Sequence, residues 1–120
     1  MVDDGSDDDT AGVAEKFSRV HVIGQPNQGC AVARNTGIAA SSGNWLAFLD
    51  ADDIWLPEKL VLQSDYLKLN SSCQVVFGMV ENFFSPELDS KQRARLYCPS
   101  GRMSGIHAGA MLIKRDTFFK

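Results

Sequence analysis

Three carboxylates, Asp50, Asp52 and Asp53, follow directly on the apolar run Trp45-Leu46-Ala47-Phe48-Leu49. Carboxylates this close repel one another unless a cation or a proton relieves them. Oxygen ligands of this kind suit a hard divalent cation such as Mg²⁺ or Mn²⁺. The competing reading is a solvated turn in which an Asp caps the next helix. A second acidic turn, Val2-Asp3-Asp4-Gly5-Ser6, precedes another helical pattern. Two such turns at one edge of a parallel sheet could divide a ligand between them, one taking a base and ribose, the other a metal and diphosphate. A calcium loop of the EF-hand type needs Gly at its sixth position and Glu at its twelfth. Counted from Asp50, those positions are Trp55 and Val61. A Walker phosphate loop and a GxGxxG fingerprint are absent as well.

The elements around these acids follow from local patterning. The run 45–49 is short, continuous and apolar, as expected of a strand buried on both faces in a parallel sheet. Pro57, Glu58 and Lys59 read as the first turn of a helix reaching about Leu69. The acids therefore fall just past the carboxyl end of a strand, where open α/β sheets bind ligands. A helix is expected over Thr10–Ser18, with Val13, Ala14 and Phe17 on its inner face. A strand is expected over Val20–Ile23, ended by Gly24 and Pro26. A helix of small residues spans Cys30–Ala40, with Ala31, Val32, Ala39 and Ala40 available for close packing. Further strands are expected over Gln74–Val80 and Ala110–Ile113, with short helices near Ser90–Tyr97 and from Arg115. The alternation predicts one α/β domain over residues 1–120 with a largely parallel sheet.

Composition narrows the class. The 120 residues carry a net charge of −3. Asp3, Asp4, Asp7, Asp8 and Asp9 supply a third of the fifteen acids, so the acidic excess is local. No dense basic stripe with interleaved aromatics is present, which argues against nucleic acid as a partner. No run approaches the length of a membrane span and no signal peptide is visible, so the expected compartment is the cytoplasm. Cys30, Cys73 and Cys98 fit neither a disulfide framework nor a zinc pattern and are read as reduced and mainly structural.

The segments "VDDGSDDDT" and "NQGCAVARNTGIAASSGNWLAFLDADDIWLPEKL", with "GIHAGAMLIKRDTF" more weakly, closely resemble the family 2 glycosyltransferases. The resemblance implies a GT-A (Rossmann-like) fold and inverting transfer of a sugar from a nucleotide-sugar donor, UDP-sugar first, to a saccharide or lipid-linked acceptor during surface polysaccharide assembly. It implies that Asp3 or Asp4 hydrogen-bonds the base. Asp50-Ala51-Asp52 matches the DXD motif, with Asp52 on the divalent metal and Asp50 on the ribose or the metal through water. Asp53 is the extra acid that orients the loop or the sugar. Arg34 and Asn35 match "ARN" and support the nucleotide site, and His107 lies in a Gly-rich segment that returns near sugar and acceptor. Mn²⁺ or Mg²⁺ is the implied cofactor. Bridging the donor phosphates, it would stabilise a nucleoside diphosphate leaving group.

Other residues receive plainer readings. Asp7 to Asp9 are a solvated helix start, His21 is structural, and Trp45 and Trp55 pack. Lys91, Arg93, Arg95 and Arg102 form a solvated loop; the alternative is contact with an anionic lipid-linked acceptor, or peripheral association with the inner face of the membrane. The chain opens inside the family's "VDDGS" motif, and the acidic motif that supplies the family's general base is expected beyond Lys120. The expectation is therefore of a partial domain, with unpaired strand edges, exposed apolar surface and no turnover alone. The alternative function is a non-catalytic nucleotide- and metal-binding module. A nucleotidyltransferase is disfavoured, since the Gly-rich loop and following Lys of that class are missing.

Overall fold

A computed structural model describes all residues, 1–120, and resolves two compact units, Met1–Gly43 and Asn44–Lys120. The architecture is mixed α/β, as the sequence predicts.

In the first unit, strands β1 (Val2–Asp3) and β2 (Ile23–Gly24) pair in parallel, with Val2 opposite Ile23. Helix α1 (Thr10–Glu15) joins them. It is shorter than expected, and Ala14 alone of its three intended inner residues is buried; Val13 and Phe17 are exposed. Helix α2 (Cys30–Ala40) has the expected bounds. Its inner face differs. Ala31, Val32, Ala39 and Ala40 are exposed, whereas Ile38 is buried and Gly37 lies against Val2. Strand β1 is only two residues long and its Val2 meets the helix at Gly37, so it cannot cover positions near both ends of an eleven-residue helix.

In the second unit, β3 (Trp45–Ala47) and β4 (Val75–Phe77) flank β7 (Met111–Lys114), and both pair with it antiparallel. The largely parallel sheet is thus corrected. Strands β3 and β4 run the same way and are joined through helix α3 (Lys59–Leu69), as a crossover unit requires, but β7 enters between them in the opposite direction. The expected burial of 45–49 on both faces is corrected too. Strand β3 lies at the sheet edge; Leu46 is buried at 5 % exposure, while Trp45 and Leu49 are exposed. Alternation along a strand accounts for this, since Leu46 points opposite to Trp45.

The strand expected over 74–80 is divided at Gly78. Strand β5 (Met79–Glu81) leaves the three-stranded sheet and pairs with β6 (Arg102–Ser104), an element with no sequence signal strong enough to predict. The backbone at Gly78 explains the break. Its N–H donates to the Ala110 carbonyl at 2.9 Å and its carbonyl accepts from Gly105 N–H at 3.1 Å. Short helices α4 (Ser90–Arg93) and α5 (Arg115–Phe118) complete the unit. Helix α4 begins in a reciprocal cap. Asp89 Oδ1 accepts from Gln92 N–H, and Gln92 Oε1 accepts from Asp89 N–H, each at 2.8 Å. Helix α3 buries Gln63 and Leu67 and leaves Leu60, Val61, Leu62, Tyr66 and Leu69 exposed. No helix is long and apolar enough to cross a membrane.

Candidate donor-nucleotide and metal site

In the first unit the acidic turn is built around Asp4. Its Oδ1 accepts from Gln25 Nε2 at 2.7 Å and Gln28 N–H at 3.0 Å, and its Oδ2 accepts from Gly29 N–H at 2.7 Å. Gln25 is held in turn by the Thr36 hydroxyl of helix α2, at 2.7 Å from Gln25 Oε1. One carboxylate thus fixes the 25–29 loop and the start of the helix that carries Arg34 and Asn35. Gly5 makes the turn possible, with φ near +80° and Asn27 N only 2.8 Å from where a side chain would begin. Asp3 is turned toward Ser6, whose N–H and hydroxyl donate to its Oδ1. Asp8 receives the backbone N–H and hydroxyl of Thr10. The solvated helix start therefore has a local structural task.

The hydrogen bonds from Gln28 N–H and from Gln25, with that from Gly29 N–H, hold the Asp4 carboxyl below its ordinary value against the opposing effect of desolvation. The sign follows from linkage. An unfolded chain takes up this proton at a higher pH than the folded one. The stabilisation is therefore complete above about pH 4 and is lost as the pH falls through the depressed folded value. In an acid titration followed by circular dichroism, Asp4→Asn should flatten the acid limb of the wild-type stability profile. An unchanged acid limb would show that this carboxylate does not hold the loop.

In the second unit, Asp50 is half-buried just past β3, and its carbonyl accepts from Asp53 N–H at 3.1 Å, closing the turn. Asp52 and Asp53 are exposed. Opposite stands the turn that leads into β7. A methyl group at Gly109 would lie 2.7 Å from Asp53 Oδ2 and 3.2 and 3.3 Å from His107 Cε1 and Nδ1. Asp53 and His107 therefore both lie against Gly109, where a side chain would have to displace them. No three His, Cys, Asp or Glu side chains form a metal cage. Asp50 and Asp52 do fit a hard cation in another way. Two exposed or half-exposed carboxylates at a strand end supply oxygen ligands and leave room for phosphate oxygens and water.

Three residues that the sequence reading did not assign to the site hold this turn, Trp55 among them, which it reads as packing. Trp55 Nε1–H donates to the Gly109 carbonyl at 3.2 Å, and Gln63 Nε2–H donates to the Ala110 carbonyl at 2.8 Å. Lys59 Nζ donates to Gln63 Oε1 at 3.2 Å and lies 4.2 Å from the Trp55 ring centre. Partial burial lowers the Lys59 pKa. For Lys59 and Gln63 the available signal was their spacing, because residues four apart share one helix face; Trp55 precedes the helix and carries no such signal.

The basic loop resolves into separate tasks. Arg93 donates to the carbonyls of Leu88 at 2.9 Å, Ser85 at 3.2 Å and Pro86 at 3.4 Å, and Arg102 lies 3.9 Å from Glu81. Lys91 and Arg95 remain exposed. All three cysteines are free thiols; Cys30, at the start of α2, is exposed rather than part of a core.

A sequence profile of Glycosyl transferase family 2 matches residues 1–118. The chain belongs to this family. Its mixed α/β architecture agrees with the GT-A fold that family membership implies. Among curated relatives, an uncharacterized glycosyltransferase of Rickettsia felis is 35 % identical over 59 % of this chain and 12 % of its own length. The succinoglycan biosynthesis protein ExoW of Rhizobium meliloti is 46 % identical over 45 % of this chain and 18 % of its own. The UDP-Glc:alpha-D-GlcNAc-diphosphoundecaprenol beta-1,3-glucosyltransferase WfgD of Escherichia coli is 37 % identical over 68 % of this chain and 33 % of its own. The chain spans a third or less of the length of these relatives.

Proposed function

We propose that this chain forms the donor-binding part of a metal-dependent, inverting family 2 glycosyltransferase, and that its two units serve one domain. The observation that carries the reading is the acidic turn 50–53, set at the end of a strand and facing the 107–110 turn. The family match running across both units supports it. Asp52 and Asp50 hold the divalent cation, Mn²⁺ or Mg²⁺. When bound, that cation supplies Lewis-acid stabilisation of the departing nucleoside diphosphate. Asp3 accepts a hydrogen bond from the base. Asp4, already accepting three hydrogen bonds, shapes the wall beside it. Arg34 and Asn35 support the nucleotide from helix α2, and Asp53 and His107 meet the sugar.

A UDP-sugar is the proposed donor, and a saccharide or lipid-linked acceptor receives the sugar at the inner face of the membrane. The activity for which WfgD is named, with a UDP-Glc donor and an alpha-D-GlcNAc-diphosphoundecaprenol acceptor, supports the choice of donor and of a lipid-linked acceptor. Calorimetric titration of UDP into the chain tests the reading. Binding should be seen with Mn²⁺ and vanish with a chelator. Absence of binding to UDP and to a panel of other nucleoside diphosphates, in a chain shown to be folded, would remove the proposal.

A further inference from the structure

We propose that Trp55, Lys59 and Gln63 are positioning residues that lock the 107–110 turn against the acidic turn, so that His107 and Asp53 are presented together beside the metal carboxylates. The inference deepens the donor-site reading and rests on it for its catalytic meaning, but its geometry stands alone. Two consecutive carbonyls, Gly109 and Ala110, are each held by a side chain from the segment that follows the acidic turn. Lys59 ties the two holders together through the Trp55 ring and Gln63 Oε1.

Gln63 is the buried polar residue of the chain, at 6 % exposure, and both ends of its amide are satisfied. A buried amide costs free energy unless paired. An apolar residue at 63 would have filled the space, but it could not fix the Ala110 carbonyl or receive Lys59. The Ala110 carbonyl also accepts from Gly78 N–H, so the bracket reaches the point where β4 gives way to β5. At the other end, Gly109 is enclosed by the Asp53 carboxylate and the His107 ring. A small displacement of the Gly109 backbone would therefore move His107 relative to Asp53. Preorganised geometry of this kind is what donor and acceptor positioning requires.

The test compares the whole 120-residue wild-type chain with Trp55→Phe and Gln63→Met, which keep bulk and lose the donor group. Trp45→Phe is the control. The first readout needs no ligand. The His107 ring signals and the Gly109 amide signal in NMR spectra should shift in both variants and stay in place in the control. Within the wild-type chain, the Trp55 indole N–H should exchange with solvent at least several-fold more slowly than that of Trp45. The second readout adds Mn²⁺ with UDP. Paramagnetic broadening of the His107 ring should fall twofold or more in the variants while broadening of the Ala51 amide persists, a separation that loss of stability alone would not produce.

Unmoved His107 and Gly109 signals in folded variants would overturn the bracket, and so would equal indole exchange rates in the wild-type chain. If a variant fails to fold, the indole comparison decides. If Mn²⁺ with UDP leaves every wild-type signal unchanged, the donor-site reading fails, and the ligand-free signals still decide whether the bracket exists.

Discussion

Replacing Asp52 with Ala should weaken Mn²⁺-dependent UDP binding by more than about a hundredfold and leave stability within about 0.5 kcal/mol. The two halves of this expectation have different causes. Asp52 is exposed on a turn whose closure is made by backbone atoms, Asp53 N–H to the Asp50 carbonyl. Removing its side chain costs no packing and relieves repulsion from Asp50 and Asp53. The binding loss is expected to be large because a hard cation held at this turn would have few protein ligands to begin with. Loss of groups that merely support metal ligands costs about ten- to a hundredfold, and loss of a ligand itself should cost more. Asp53→Ala supplies the contrast. Its carboxylate lies against Gly109, so the variant should retain most metal affinity while shifting the His107 signals. Calorimetry on both variants, after matched thermal melts, distinguishes the roles. If Asp52→Ala binds UDP with Mn²⁺ as wild type does, the acids are a plain solvated turn.

Much of this arrangement was legible because it is local. Helix α2 was read with its bounds intact, since a run of helix-compatible residues lies between Gly29 and the Ser41-Ser42-Gly43 stretch. The acidic turn was placed past a strand because the apolar run and Pro57 bracket it. What failed was long-range. Nothing in Met111–Lys114 says that it will enter between β3 and β4 and run against both, because direction is set by partners far along the chain. The break at Gly78 depends on carbonyl and amide partners at 105 and 110, equally invisible locally. The start of α4 does carry a local signal, for Asp89 and Gln92 have the spacing of a reciprocal cap. The bracket formed by 55, 59 and 63 lay between these cases. The shared helix face of Lys59 and Gln63 is readable, but Trp55 lies before that helix, and the carbonyls the three hold are not readable. The role of Asp4 in fixing a loop more than twenty residues away likewise required coordinates.

Leu112→Ala should destabilise the chain by about 2–5 kcal/mol, toward the lower end of that range. Leu112 is buried at 7 % exposure on the central strand of the three-stranded sheet, opposite Ala47 on one side and Val76 on the other. Both neighbours are half-buried and smaller than Leu, so the site can partly collapse around the lost atoms. Even so, the loss is a large fraction of a total stability that is about 5–15 kcal/mol for an ordinary domain. Buried apolar side chains here are few, and none is completely enclosed. Leu69→Ala, at a helix end where Leu69 is 86 % exposed, should cost less than about 0.5 kcal/mol. Urea unfolding followed by circular dichroism measures both. The 107–110 turn runs straight into this strand, so Leu112→Ala should reduce UDP binding only as far as it lowers the folded fraction. Equal unfolding midpoints for the two variants would mean that the sheet at β7 is not the core of this unit.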